Sequence, residues 1–292
     1  MHATYGFDGD AAHWVMWPFF NDHTAYGAVL AMFVPASLAF IFDKNYLRTV
    51  RLVFLALSVI LFIGLVLSVS RAAWASVVAA AGVFVLIRFR IKWKFVLPGL
   101  VLLAGLFFAY QSVIIQKMEK NKQDSEETDL AKHVQSMTNI STDASNLERL
   151  NRWQSAFRLY HERPVTGWGP GTYQFVYAPF QHSRDLTVIS TNAGDKGNAH
   201  SEYFGPLCEQ GLPGMLIMLA LVGFIVFTAI KALKKISDSR TRTYLIAAFL
   251  GLITYFTHGS LNNFLDTDKA SVPFWGFTAI IVAWLAKLNP GF

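Results

Sequence analysis

Three groups of residues in this 292-residue chain carry side chains suited to chemistry on an anion. The first is Ser70-Arg71-Ala72-Ala73-Trp74, which puts Arg71 at the junction of two apolar runs. A guanidinium at an apolar helix end is costly unless it snorkels to the interface or meets an anion, and both readings fit Arg71 beside an interfacial Trp. The second is Glu148-Arg149-Leu150-Asn151-Arg152-Trp153, where Arg149 and Arg152 lie about one helical turn apart and off the apolar stripe. Paired guanidinium forks suit bidentate recognition of phosphate oxygens, although a solvated face with Glu148 as local partner has the same pattern. The third is Ala199-His200-Ser201-Glu202-Tyr203-Phe204, where His200 can serve as a base near neutral pH or as a hydrogen-bonding residue at a helix end.

The elements that must position these groups are apolar. Hydrophobic residues make up 53% of the chain and charged ones 15%, too apolar for an ordinary soluble domain. The apolar residues gather into runs of about 16 to 20, the length that crosses a hydrocarbon core of about 30 Å as a helix. Seven runs are found, at about 24–42, 52–69, 72–87, 95–115, 214–230, 244–258 and 272–288. The sixth is the weakest, being short and containing Thr254, Thr257 and His258. The expected fold is all-α: a polytopic transmembrane helix bundle of about seven spans with one large, partly helical extracytoplasmic loop.

Positive charge alternates between the connections. Lys44, Arg48 and Arg51 follow the first run, Arg88, Arg90, Lys92 and Lys94 the third, and Lys231, Lys234, Lys235, Arg240 and Arg242 the fifth. The positive-inside rule places these in the cytoplasm and the segments 116–213 and 261–271 outside. The chain then divides into an extracytoplasmic N-terminal segment (1–23), four spans (24–115), a large periplasmic loop (116–213) and three spans (214–292). Residues 1–20 do not have the pattern of a signal peptide, so the chain is expected to be the C-terminal part of a longer polytopic protein, the alternative being a short protein whose N-terminal tail is translocated directly. The net charge of +6 is accounted for by these helix ends, and nucleic acid is not an expected partner. With Cys208 as its single cysteine, the chain forms no intramolecular disulfide.

Within the loop, 117–145 is polar, lacks aromatics and reads as a linker, and its sequon Asn139-Ile140-Ser141 is discounted. An amphipathic helix is expected from Ser145, with Ser145 and Glu148 spaced as a capping box and Leu147, Leu150, Trp153, Phe157 and Tyr160 three or four apart. It stops before Pro164, and Gly167-Trp168-Gly169-Pro170-Gly171 must be a tight turn. A second short helix is expected over about 199–210, ending at Gly211 and Pro213. Asp8-Gly9-Asp10 and Asp266-Thr267-Asp268 match a short metal-binding pattern, but neither follows a nucleotide-binding strand, and no metal or cofactor is expected. Asn21-Asp22-His23 either lines a site or caps a helix.

The ordered set is more specific than its parts. Ser70-Arg71-x-x-Trp74, a long external loop with Arg149 four residues before Trp153, Arg163-Pro164-Val165-Thr166-Gly167-Trp168-Gly169-Pro170-Gly171, Ala199-His200-Ser201-Glu202-Tyr203 and Glu209-Gln210-Gly211-Leu212-Pro213-Gly214 together resemble the O-antigen ligase and polymerase family. The resemblance covers roughly 52–292. Two departures stand out: members of that family usually have ten or more spans, and the pattern His-Asn-x-x-Leu is here His200-Ser201-Glu202-Tyr203-Phe204.

The resemblance implies transfer of a glycan from an undecaprenyl-diphosphate carrier to a sugar or lipid-linked acceptor, at the periplasmic face of the bacterial inner membrane. A diphosphate leaving group needs its charge neutralised rather than a protonating acid, which assigns Arg71 and Arg149 to it and Arg152 as a third candidate. The acceptor hydroxyl needs a base, assigned to His200, with Tyr203 orienting it or the sugar and Trp168 stacking on a sugar ring. A single displacement inverts the anomeric carbon and requires no metal. Ligase, polymerase and protein-glycan ligase remain open. The competing readings are a flippase, which predicts mid-membrane charges and repeated halves, and an inactive structural subunit.

Overall fold

The computed structural model describes residues 2–6, 11–90, 144–187, 190 and 197–288. The expected fourth run at 95–115, the linker, its sequon and Asp8-Gly9-Asp10 lie outside the described residues. The described residues are helical throughout apart from turns and connections. On the N-terminal side of the loop come α1 (His23–Phe42), α2 (Arg48–Leu67) and α3 (Arg71–Arg88). The loop contributes α4 (Ala144–Glu162), the single turn α5 (Tyr173–Val176) and the short α6 (Phe204–Glu209). The chain then runs through α7 (Gly211–Lys235), α8 (Ser239–His258) and α9 (Asp268–Leu288).

Five of these helices, α1, α2, α3, α7 and α9, are long and apolar enough to cross a membrane, and the chain is a polytopic helical membrane protein. The α2 helix exposes Leu52, Val53, Ile60, Phe62 and Ile63, a face that water would not tolerate and lipid accepts. The sixth run differs for a physical reason. Leu245, Phe249, Leu252, Thr254, Tyr255 and His258 of α8 are all buried, because α1 and α3 pack on it from one side and α7 and α9 from the other. A helix shielded by protein need not be strongly apolar, and its Thr254 and Thr257 hydroxyls donate to carbonyls of their own helix. Gly251 makes the packing close: a Cβ there would come within 2.7 Å of the Met32 carbonyl and 2.5 Å of Phe277.

The turn from α2 to α3 is fixed by local chemistry. Ser70 caps α3, its side chain accepting from the Ala73 amide at 3.4 Å, so Arg71 becomes the first helical residue. Trp74 ties the two helices together by donating from Nε1 to the Leu65 carbonyl at 2.9 Å. Gly27 lets α1 press on this turn, since a Cβ there would meet Ser68 Oγ and Ser70 Cβ at 2.8 Å.

The loop has its own core, in which Ala156, Leu159, Tyr173, Tyr177, Ala199 and Cys208 are buried. The expected amphipathic helix is present and is described from Ala144. Glu148 turns inward and pairs with Arg152 at 2.5 Å. The second helix is shorter than expected: α6 begins at Phe204, and His200 precedes it in a left-handed conformation (φ 46°).

Candidate active site where the loop meets the membrane helices

Arg149 projects from α4 toward the bundle, and its Nε donates to the Leu261 carbonyl, in the α8–α9 connection, at 3.2 Å. Its charge is held below the ordinary arginine range by burial first and then by the Arg71 guanidinium, with Asp22 opposing. Two cations brought together in a part-buried place favour an anion beside them. Arg71 is exposed at the N-terminus of α3, where unpaired amides and the helix dipole also favour negative charge.

His200 reaches the same place from the third element. Its carbonyl accepts from Trp153 Nε1 at 3.2 Å, one turn along α4 from Arg149, and its amide donates to Asn198 Oδ1 at 3.0 Å. Burial first, then Arg149 and Arg152, push the His200 imidazole down to about 4, with Glu148 and Asp22 opposing. His200 is therefore neutral near pH 7 and able to take a proton. Arg149 interacts electrostatically with both Arg71 and His200, which lie 78 positions before it and 51 after it in the sequence.

Arg152 supports this place from within the loop. It is buried, with Nε on Glu148 and its guanidinium carbon 4.0 Å from the Tyr177 ring centroid. The chain approaching His200 passes directly over it, and a Cβ on Gly197 would collide with the Arg152 guanidinium. Burial alone would raise the Glu148 carboxyl, but hydrogen bonds from Ser190, Arg152 and Thr187 outweigh that and hold it below its ordinary value.

Tyr203 anchors the His200 segment to the bundle, donating from its hydroxyl to the Phe256 carbonyl at 3.0 Å. Burial, with the Glu202 charge adding to it, pushes the phenol up to about 12, so it stays a donor. Trp168 is not brought to this place. Its Nε1 donates to the Leu159 carbonyl at 3.0 Å, and Arg163 stacks over it at 4.1 Å. Leu159 lies ten residues beyond Arg149 on α4, about 15 Å along the axis at ~1.5 Å per residue.

Asp22 caps α1 by accepting from Thr24 N at 2.5 Å, and its charge also acts on Arg149 and His200. Sequence reasoning missed two further contributors. His258, buried at the end of α8, sits against the Ala72 backbone beside Arg71 and 3.2 Å from the Asn262 amide. Glu202 is a buried acceptor for the Tyr255 hydroxyl (2.5 Å) and for the Phe264 (2.8 Å) and Leu265 (2.9 Å) amides. It thus fixes the connection whose Leu261 carbonyl holds Arg149. No spacing signal announces these partners, because they come from distant parts of the chain. Asp266-Thr267-Asp268 is the end of that same connection, with Asp268 opening α9.

The part of the chain that holds these residues matches a known family. A family model described as O-antigen ligase matches residues 56–219, more than half of the chain. The chain belongs to the O-antigen ligase family. An O-antigen ligase of Salmonella typhimurium is 26% identical over 235 residues, covering 80% of this chain and 52% of the relative. The chain spans about half the length of that curated relative. The family match begins within α2 and ends within α7, so it contains Arg71, Arg149 and His200 together with the elements that carry them.

Proposed function

We propose that this chain carries the catalytic part of an enzyme that transfers an undecaprenyl-diphosphate-linked glycan to an acceptor sugar hydroxyl at the periplasmic face of the inner membrane. The observation that carries the reading is that Arg149 acts electrostatically on both Arg71 and His200, the three coming from separate elements. In the reaction the acceptor oxygen attacks the anomeric carbon, its proton passes to His200, and the bond to the diphosphate oxygen breaks with its electron pair. Arg71 and Arg149 stabilise the diphosphate as charge accumulates on it, with Arg152 fixing the surrounding loop.

The depressed basicity of His200 fits the order of events. Before donor binding, burial and then the nearby cations keep it proton-free. An arriving diphosphate offsets those cations, and the imidazole becomes a stronger base when the acceptor proton must move. One displacement at one centre inverts configuration, and the scheme requires no metal.

Surface-glycan display tests this in cells lacking the endogenous gene and complemented by the chain within its full-length context, with Arg71→Ala and His200→Ala versions at matched membrane levels. Loss of display in both supports catalysis. Accumulated long carrier-linked chains then indicate a ligase and single repeat units a polymerase, whereas unchanged display in both overturns the assignment.

A further inference from the structure

At the end of the bundle that carries Arg71, residues 11–20 lie alongside the start of α1. Ala11, Val15 and Met16 are buried, with Phe20 and Tyr26 packed against them. Tyr26 is three residues into α1 from His23, about 4.5 Å along the axis at ~1.5 Å per residue. A Cβ on Gly64, in the last turn of α2, would come within 2.9 Å of the Tyr26 hydroxyl. The segment therefore rests on a residue that is itself wedged against α2.

Two hydrogen bonds tie it to the turn before Arg71. His23 Nδ1 lies 2.7 Å from the Ser68 carbonyl, and His23 Nε2 lies 3.0 Å from His13 Nδ1. A carbonyl only accepts, so His23 donates from Nδ1, its neutral ring accepts at Nε2, and His13 is the donor there. Ser68 is three residues before Arg71, so the segment is held at the level of that arginine. Lys269, in the first turn of α9, reaches the same segment from the other side, its ammonium 5.2 Å from the Phe20 ring centroid.

The surface that this packing leaves outside is aromatic. Trp14 is 53% exposed, Trp17 69% and Phe19 67%, and Tyr5 packs edge-on to Trp14 with ring centroids 4.7 Å apart. Residues 11–20 contain no Asp, Glu, Lys or Arg. The exposed face of α2 is of another kind, since Leu52, Val53, Ile60 and Ile63 are aliphatic, as contact with hydrocarbon favours. Trp and Tyr favour the membrane boundary, where the ring meets acyl chains and the N–H or hydroxyl meets headgroups. Contacts between membrane helices favour small residues instead.

We propose that residues 11–20 form an interfacial anchor that seats Trp14, Trp17 and Phe19 in the leaflet at the Arg71 end, reaching roughly 5–10 Å into the boundary of headgroups and acyl chains. Through His13, His23 and Ser68 the lipid surface then supports the turn that presents Arg71. The anchor does not depend on the chemistry assigned to Arg149 and His200.

The test uses the full chain in phosphatidylcholine vesicles whose acyl chains are brominated either near the headgroup or near the bilayer centre. The fluorescence of the two indoles is isolated as the difference between the unaltered protein and the Trp14→Phe, Trp17→Phe double variant, which keeps an apolar ring at both positions. Bromine near the headgroup is expected to remove most of this difference emission, while bromine near the centre and aqueous acrylamide each remove little. Quenching mainly by acrylamide would place the indoles in water, and quenching mainly from the bilayer centre would place them in hydrocarbon. Indifference to all three quenchers would mean that protein covers them. Each of these results overturns the proposal. A nitroxide on Trp14→Cys, with the buried Cys208 left unlabelled, reads the same depth from its accessibility to oxygen and to an aqueous relaxant should the double variant not fold.

Discussion

Arg149 is held 3.2 Å from the Leu261 carbonyl through its Nε, so a residue of the loop is registered against a connection between two membrane helices. That connection is in turn gripped by Glu202, which lies two residues beyond His200 in the loop. The loop therefore holds the part of the bundle that positions its own arginine. The candidate base and the candidate phosphate ligand share one rigid frame.

The first consequence concerns Arg149. Lysine keeps the charge but has neither the Nε donor that Leu261 uses nor a planar fork for phosphate. Arg149→Lys is expected to lower glycan transfer by about 10- to 100-fold, the scale of losing charge-assisted hydrogen bonds. Transfer measured with purified lipid-linked donor, at matched protein levels, checks this, and full activity in the lysine variant would remove Arg149 from the reaction.

How much of this was legible in the sequence depends on which partners a residue uses. Six of the seven apolar runs correspond to described helices, and Arg71, Arg149 and His200 were visible because each sits in a local motif. Glu148 answers to Thr187 and Ser190 as well as to Arg152, distant partners that local spacing does not announce. The sixth run looked weak because hydropathy measures contact with lipid, and α8 is covered by protein. Glu202 was silent as chemistry because its partners lie 53 to 63 residues away.

The pH dependence of the reaction follows from His200. In the free protein its imidazole titrates near 4, lowered by burial and then by Arg149 and Arg152. The acid limb of kcat/KM, which reports the free enzyme, is expected near pH 4, with the rate falling as acid protonates the base. In the donor complex the diphosphate offsets the arginines and favours the charged imidazole, so the acid limb of kcat should lie at higher pH. Coincident limbs would mean that the donor's charge does not act on His200.

Acid should also weaken the fold through the same group. Because His200 is lowered in the folded state from an ordinary 6.5 to about 4, the unfolded chain binds its proton first. Stability is then lost as pH falls from about 6.5 toward about 4. Melting curves over this range should show a smaller loss for His200→Asn than for the unaltered protein, and equal slopes would show that His200 does not contribute to the linkage.

Glu202 should separate structure from catalysis. Glu202→Ala leaves the Tyr255 hydroxyl and the Leu265 amide without their acceptor, and the Phe264 amide with only the Tyr255 hydroxyl oxygen at 3.2 Å. Each orphaned buried donor costs about 1–3 kcal/mol, so melting in detergent should fall by several degrees or folding should fail. Glu202→Gln keeps a carbonyl oxygen for these donors and is expected to retain most of the stability. Equal destabilisation by both would mean that the carboxylate charge, rather than its acceptor role, holds the connection.

The glycine turn offers a test within one motif. Gly167 and Gly171 both have positive φ, 62° and 72°. A side chain in this left-handed region costs about 1–2 kcal/mol in either case. Their surroundings differ: a Cβ on Gly167 would run into the Glu209 and Gln210 backbone, whereas one on Gly171 meets nothing within 4 Å. Gly167 sits where this turn crosses the end of α6, with the Trp168 amide donating to the Cys208 carbonyl at 3.1 Å and the Gly169 amide to the Glu209 carbonyl at 2.7 Å. Gly171→Ala should therefore cost only the backbone strain and leave glycan transfer close to normal. Gly167→Ala should also force the turn off α6, displace the segment that carries His200 and cut activity with protein level. Limited proteolysis of the loop alongside activity distinguishes the two variants, and equal protease resistance would show that the close approach at Gly167 does not constrain the loop.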